Sequence, residues 1–268
     1  MRAPAILLSL LLVAASPAAG SPPASVFLEE LTSAEVRDAI RAGTTTIIIP
    51  VGGTEQNGPH MALGKHNVRA KALAGRIAAE LGNALVAPVV SYVPEGNIAP
   101  PTGHMRHAGT ISVPEDAFKG VLDAAARSFR QHGFVDVVLI GDSGNYQPQL
   151  KAVAARLNRD WAATQTRAHF IEAYYRTTQT TYRQALRAKG LSDAQIGTHA
   201  GAGDTSLAMA IDATLIRPGR MPTGVGDGLA SGVAGDPRAS SAALGQIGVE
   251  QIISQTVAAI RTAQAAPR

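Results

Sequence analysis

Short β-branched, apolar runs alternate with amphipathic stretches along the chain, and Gly or Pro marks most of the junctions. Thr32 and Glu35 stand at capping-box spacing before a helical stripe through Val36 and Ile40, with Gly43 as its stop. Residues 44–51 (TTTIIIPV) read as a buried strand. Residues 67–81 read as a helix closed by Gly82, and 84–90 as a second strand. Ser112 and Glu115 repeat the capping-box spacing with Pro114 in the first turn; a helix follows to His132, where Gly133 stops it. Residues 134–140 (FVDVVLI) form a third buried strand, 147–159 a helix and 167–174 a fourth strand. Helical patterns return at 180–189, 204–211 and, without a proline, over 241–262. Residues 217–240, rich in Gly and Pro, read as a surface loop. This order predicts an α/β domain layered around parallel strands. Ligands in such sheets sit beyond the carboxyl ends of the strands.

The first twenty residues are set apart from this pattern. Arg2 precedes an apolar run from Ala5 to Ser16, and the small residues Pro17, Ala18, Ala19 and Gly20 follow. A charged head, an apolar centre and a small-residue end make a secretory signal; a frayed apolar helix is the alternative. The expectation is a leader at 1–20, one α/β domain over 21–268, and a mature protein that is periplasmic or secreted. No later segment has eighteen uninterrupted apolar residues, so no membrane contact is expected of the mature form.

Composition narrows the chemistry. The 268 residues are 46% apolar and 16% charged, which excludes a disordered chain and allows a substantial core. Cysteine is absent, which excludes disulfides, thiolate zinc sites, a thiol nucleophile and a lipoprotein anchor. The net charge of +4 comes from scattered Lys and Arg without interleaved aromatics, so no nucleic-acid partner is expected.

Two strand ends carry the candidate chemistry. Gly52-Gly53-Thr54-Glu55-Gln56-Asn57-Gly58-Pro59-His60 follows residues 44–51, and Lys65-His66-Asn67 comes soon after. Gly141-Asp142-Ser143-Gly144-Asn145-Tyr146 follows residues 134–140. Of the seven histidines, His60, His66, His104, His107 and His199 fall in loop-like contexts, while His132 and His169 read as structural. The Gly141–Gly144 run also looks like the nucleophile motif of chymotrypsin-like proteases. That fold is all-β, the flanking residues differ, and the Gly-x-Ser-x-Gly elbow is missing. Ser143 as a nucleophile with His199 as base is therefore the weaker reading.

These motifs, in this order, resemble the creatininase family of metal-dependent amidohydrolases. The family's Pro-Val-Gly-x-x-Glu-Gln-His-Gly-Pro-His is matched from Pro50 to His60 except at Asn57. Its Pro-Gly-Thr-Ile-Ser appears at Ala108-Gly109-Thr110-Ile111-Ser112, and its Asn-Gly-His-Gly-Gly-Asn aligns with residues 140–145. Its His-Ala-Gly-x-x-Glu-Thr-Ser appears from His199 to Ser206, and its late Gly-Asp-Pro at Gly235-Asp236-Pro237. The resemblance covers residues 30–262. It implies a three-layer α/β/α fold with a mostly parallel central sheet, a small-molecule substrate with a non-peptide, often cyclic, amide bond, and a homo-oligomer, commonly a hexamer.

The departures from the family pattern fall on its metal ligands. Glu55 is kept, whereas the first-motif His is Asn57, the shared Asp is His66, the second-motif His is Asp142, and a second-metal Glu is Gly144. The resemblance thus implies one metal site built from Glu55, His66 and Asp142, with Asp and His exchanged. Two carboxylates and an imidazole suit a single divalent Zn, Mn or Fe ion; a lost site with leftover polar residues is the alternative. His199 aligns with a substrate-site histidine and would donate a proton to the leaving nitrogen. Asp204 would orient His199 or bind substrate, or else cap a helix. Asn57, His60 and Ser143 complete the expected substrate-contacting set, with His60 also a candidate loop-holding residue and His104 and His107 at the pocket mouth. The altered ligands speak against creatinine itself as substrate. A non-catalytic binding protein on the same scaffold is the rival reading.

Overall fold

The β-branched and apolar runs become four strands: β1 (Thr46–Val51), β2 (Ala84–Val86), β3 (Asp136–Gly141) and β4 (Arg167–Phe170). They pair in the order β2-β1-β3-β4, all parallel. The computed structural model describes residues 23–228 and 230–267, so the expected leader at 1–20 lies outside the described residues. Alternate residues of the central strands serve opposite faces, as the two-residue period of a strand requires. Ile48, Val138 and Ile140 pack with Leu73 and Ile77 of α2 (Lys65–Leu81) and Val249 and Ile252 of α9 (Ala242–Ala265). Ile47, Ile49 and Leu139 pack with Phe118 and Leu122 of α3 (Glu115–His132) and Leu150 and Val153 of α4 (Gln147–Asp160). Both faces are covered, which gives the expected three-layer α/β/α fold.

Between these, α1 (Ser33–Arg41) opens on the Thr32–Glu35 capping box as expected. The remaining helices are α5 (Ala173–Gln179), α6 (Thr181–Ala188), α7 (Asp193–Ile196) and α8 (Ala202–Ile211). The described residues of 217–240 hold two short 3-10 turns, Pro218–Arg220 and Pro237–Ala239, and otherwise run as loop. No described helix is long and apolar enough to cross a membrane.

Several boundaries depart from the sequence pattern, for identifiable reasons. The second strand stops at Val86 rather than continuing to Val90, because Pro88 has no N–H to give a ladder. The fourth strand stops at Phe170, and Ala173 starts α5, which buries Tyr174 in the core shared with α9. Ser112 does not cap α3. Its hydroxyl accepts Glu95 N–H at 3.0 Å and donates to Gly96 O at 2.7 Å, so it ties down a different loop. α2 begins at Lys65, two residues earlier than the pattern suggests. α8 begins at Ala202 with Gly201 as N-cap, so Asp204 lies within the first turn rather than capping it.

The register pairs Thr46 with Asp136 through to Val51 with Gly141. β1 and β3 therefore end side by side, and the two motif-bearing loops leave the sheet together.

Candidate active site

The site forms where those loops meet the N-terminal turn of α2. Lys65, His66 and Arg69 lie on one face of that turn, at i, i+1 and i+4. Basic side chains at a helix N-terminus oppose its dipole. Here carboxylates from two loops, Glu55 and Asp142, and from the first turn of α8, Asp204, offset them.

Glu55, His66 and Asp142 do converge, as the resemblance implies, but in a hydrogen-bonded chain. His66 Nε2 lies 2.8 Å from Glu55 Oε1, and His66 Nδ1 lies 2.5 Å from Asp142 Oδ2. Both imidazole nitrogens thus face carboxylates. Arg69 Nε donates to both Asp142 oxygens at 3.0 and 2.8 Å, and Tyr174 Oη donates to Oδ1 at 2.8 Å. Arg69 Nη1 also donates to Asp204 Oδ1 at 2.7 Å. Lys65 Nζ pairs with Asp204 and lies 4.0 Å from Glu55 Oε1. Lys65 and Arg69 are 1% and 4% exposed, so these are buried ion pairs.

The charges set the protonation. Burial alone would raise Glu55, but His66 and Lys65 outweigh it and hold the carboxyl below its usual range. Burial opposes Asp142 and Asp204 in the same way, and Arg69 and His66, with Lys65 at Asp204, hold both low. Burial and Lys65 oppose protonation of His66, yet Glu55 and Asp142 raise it above the usual imidazole range. Three carboxylates therefore face Lys65, Arg69 and a His66 imidazole whose protonation they favour. Arg69 already holds both Asp142 oxygens, and an ion bound by His66 and Asp142 would have to displace it.

A different donor set lies one layer further out. Among the described residues, Glu55, His104 and His199 place one ligand atom each within 4.8 Å of the others. His104 Nε2 is 3.4 Å from Glu55 Oε2, and His199 Nδ1 is 3.7 Å from Glu55 Oε1. Burial, then Lys65, pushes His199 down to about 4, and burial lowers His104 as well.

The surroundings of this set bear on whether it suits a metal. His199 Nε2 donates to Gln56 O at 2.9 Å, which leaves Nδ1 as the free donor atom, as in metal-bound imidazoles. Glu55 Oε2 is buried and has no hydrogen-bond donor. His104 is the imperfect member. Gln56 Oε1 accepts Gly58 N–H at 2.9 Å, so its amide nitrogen faces His104 Nδ1 at 2.9 Å and directs the His104 proton to Nε2. Ligation through Nε2 needs the other tautomer and a turned Gln56 amide, at the cost of the Gly58 bond. Glu55 and His199 fit a metal as they stand; His104 fits after that turn.

The other expected site residues divide by position. Ser143 and Asp204 line a cavity of about 200 Å³ with Glu55, His104 and His199. Asp204 accepts Ala200 N–H at 3.1 Å as well as its two ion pairs, so it fixes the His199–Ala200 turn. Asn57 does not line this cavity. Its Nδ2 donates to Glu55 O and Ala62 O at 2.9 and 3.1 Å, which holds the loop that carries Glu55. His60 is fully buried 3.0 Å from Thr205 Oγ1 and is likewise away from the cavity. Neither is placed to touch a substrate. A Cβ at Gly144 would lie 2.6 Å from Tyr175 Oη, so a phenol fills the room that a larger side chain there would need. His169, read as structural, pairs with Asp136 at 2.8 Å at the opposite end of the sheet.

His60 supplies a test by pH. Burial holds its imidazole below the usual value of 6.5. Below that pH the unfolded chain takes up a proton that folded His60 resists. Its contribution to stability is present above pH 6.5 and is lost as pH falls toward the depressed folded value. His60→Asn is expected to flatten the acid slope of unfolding free energy between pH 6.5 and 5 by up to about 1.4 kcal/mol per pH unit. Urea titrations at both pH values measure it, and an unchanged slope would refute the assignment.

Sequence reasoning quoted Lys65 and Gln56 within its motifs without giving them a role, and did not single out Arg69 or Glu95. Lys65 and Arg69 were legible in principle, because extending the helix back to Lys65 puts them in phase with His66. Glu95 has no motif around it and reaches the site only through the loop that Ser112 ties.

A parallel α/β/α sheet with carboxylates and imidazoles gathered beyond its strand ends defines an α/β/α protein with a candidate metal site. Comparison with known proteins makes this specific. The chain belongs to the creatininase family, whose model, described as creatinine amidohydrolase, matches residues 29–260. The creatinine amidohydrolase of Pseudomonas putida is 31% identical over 123 residues, 46% of each chain. The mycofactocin precursor peptide peptidase of Mycolicibacterium smegmatis is 33% identical over 113 residues, 40% of this chain and 43% of the relative. These matches span less than half the length of either relative. A crystal structure of creatinine amidohydrolase superimposes with a TM-score of 0.75 at 22% identity, over 91% of this chain and all of that one. A creatininase described as the Mn form has a TM-score of 0.72 at 23% identity, over 90% of this chain and all of that one. A variant of Zn–Zn type has a TM-score of 0.74 at 24% identity, over 90% of this chain and 99% of that one. These structures establish the fold.

Proposed function

We propose that this chain hydrolyses a non-peptide amide C–N bond, often cyclic, in a small polar substrate, using one divalent ion (Zn, Mn or Fe) held by Glu55, His104 and His199. His66 and Asp142 then act as supports that hold Glu55 rather than as ligands. The observation that carries this is the buried Glu55 carboxylate: its Oε2 has no donor, His104 Nε2 lies 3.4 Å from Oε2, and His199 Nδ1 lies 3.7 Å from Oε1. When bound, the ion supplies Lewis-acid polarisation of the scissile carbonyl and a more acidic water.

The chain's own residues do the rest. His66 fixes the Glu55 carboxylate through Oε1. Ser143 and Tyr175 bring hydroxyls to the cavity wall, where they can orient a polar substrate. The 200 Å³ volume suits a small molecule better than a folded chain. Export and assembly into a homo-oligomer, a hexamer by family resemblance, complete the reading.

Plasma mass spectrometry of the purified chain, paired with a panel of cyclic amides, tests this. The expected result is about one ion per chain, lost in Glu55→Ala, with turnover of at least one amide. The closed Lys65–Arg69–Asp142–Asp204 network favours a second reading, a non-catalytic protein that binds a small polar ligand. Absence of both metal and turnover, with ligand binding intact, would select that reading.

A further inference from the structure

We propose that Lys65 is a catalytic residue of the same centre: its ammonium donates to the carbonyl oxygen of the scissile amide and holds the negative charge that gathers there during hydrolysis. This rests on the metal reading above and adds to it a residue that the family resemblance leaves without a role.

Lys65 stands beside the donor set. Its Nζ is 4.0 Å from Glu55 Oε1, and His199 Nδ1 is 3.7 Å from the same oxygen. Lys65 lines the 200 Å³ cavity together with Glu55, His104 and His199. An ammonium carries three N–H donors. Among the described residues Nζ has one hydrogen-bond partner, Asp204 Oδ2. Glu55 Oε1 lies beyond hydrogen-bonding distance. Two donors are therefore unused at the cavity wall.

Charge balance alone does not account for this placement. Asp204 already has a cationic partner, because Arg69 Nη1 donates to its Oδ1 at 2.7 Å. Lys65 opens α2, where the helix dipole disfavours a cation, and it is 1% exposed, where a strongly hydrated ammonium is costly. The positions aligned with a second ion's ligands do not fit one. Asn57 Nδ2 is turned onto Glu55 O and Ala62 O, and Gly144 has no side chain while Tyr175 Oη fills the room beside it. Lys65 is thus the positive group that the chain itself brings to the cavity next to Glu55.

The chemistry follows from the unused donors. Water oxygen adds to the carbonyl carbon, and the C=O π pair becomes a lone pair on oxygen. Two N–H groups of Lys65 meet that oxygen, while the third stays on Asp204 and keeps Nζ in place. The lone pair then re-forms C=O as the C–N bond breaks, and a proton of the attacking water goes to the leaving nitrogen. The products are a carboxylic acid and an amine, and Lys65 neither gains nor loses a proton. A fixed donor aimed at developing charge in a water-excluded site contributes about 10²–10³-fold in kcat.

The test uses the full chain loaded with Zn²⁺, with inorganic phosphate as a tetrahedral anion probe and calorimetry as the readout. Lys65→Met is expected to keep about one zinc per chain and the wild-type circular dichroism, and to weaken phosphate by more than about 10-fold. On the amide that wild type turns over, kcat is expected to fall by about 10²–10³-fold with KM changed far less. The double variant Lys65→Met with Asp204→Asn removes both halves of the ion pair. It is expected to recover neither phosphate affinity nor kcat; recovery of both would show that Lys65 only balances Asp204, and would overturn the proposal. Zinc-loaded Lys65→Met with wild-type phosphate affinity and kcat would also overturn it and leave the metal reading standing. A wild type that binds no zinc would overturn the metal reading, and this proposal with it.

Discussion

Replacing Arg69 by methionine is expected to lower the unfolding free energy by about 3–5 kcal/mol. The guanidinium is 4% exposed and bonds both oxygens of Asp142 and one of Asp204. Methionine fills much of the volume and none of the charge, so two buried carboxylates lose their main partner. The pH dependence should change in a defined sense. Arg69 helps to hold Asp142 and Asp204 below the usual carboxylate range, against burial. That stabilisation is present above the ordinary carboxylate pKa and is lost as pH falls through the lowered folded values. In Arg69→Met both folded values rise, so the variant's deficit is expected to be larger at pH 7 than at pH 4. Adding Asp142→Asn is expected to return part of the loss by removing one stranded charge. A single-variant deficit below about 1 kcal/mol would show that the network is not closed in the way described.

Glu55→Gln is expected to reduce turnover by more than about 100-fold and to abolish stoichiometric metal, because it removes the one carboxylate shared by both halves of the site. The order among the other residues is the more telling result. If His104 and His199 hold the ion, His199→Ala approaches the Glu55→Gln loss. His66→Asn, which only releases Glu55 Oε1, then weakens binding by about 10–100-fold. If the ion is held by Glu55, His66 and Asp142, as the aligned positions suggest, that order reverses. Calorimetric affinities of the three variants separate the two ligand sets without any knowledge of the substrate.

The layered fold was legible because its signals are local. A run such as residues 44–51 is β-branched, flanked by glycine and followed by a helix pattern, and parallel strands of this kind are buried on both faces. The boundaries that shifted did so for tertiary reasons. Tyr174 and Tyr175 favour strands intrinsically, yet burial of Tyr174 against α9 puts them in a helix. The site was legible only in part. Motif alignment located Glu55, His66, Asp142 and His199 in one region, and they do meet there. Alignment could not show that Arg69 and Lys65 neutralise the carboxylates, because that depends on where α2 starts and which way its first turn faces. It could not show Glu95 at all, since the residue arrives through a loop contact some forty positions from Glu55 in sequence. The fate of Ser112 illustrates the same limit. Its spacing to Glu115 fits a helix cap, and the serine instead holds the loop beside the site.

Lys65 and Arg69 have a consequence beyond their local contacts. In many small metalloproteins the ion is the last structural element, and the chain stays unfolded until it arrives. Here the deep carboxylates are neutralised by side chains that travel with the polypeptide. The cavity can therefore take shape before any ion is encountered, and a chelator should leave a folded, inert protein rather than a denatured one. Occupancy then becomes a matter of supply, and the same fold can persist unchanged through metal-poor and metal-rich surroundings.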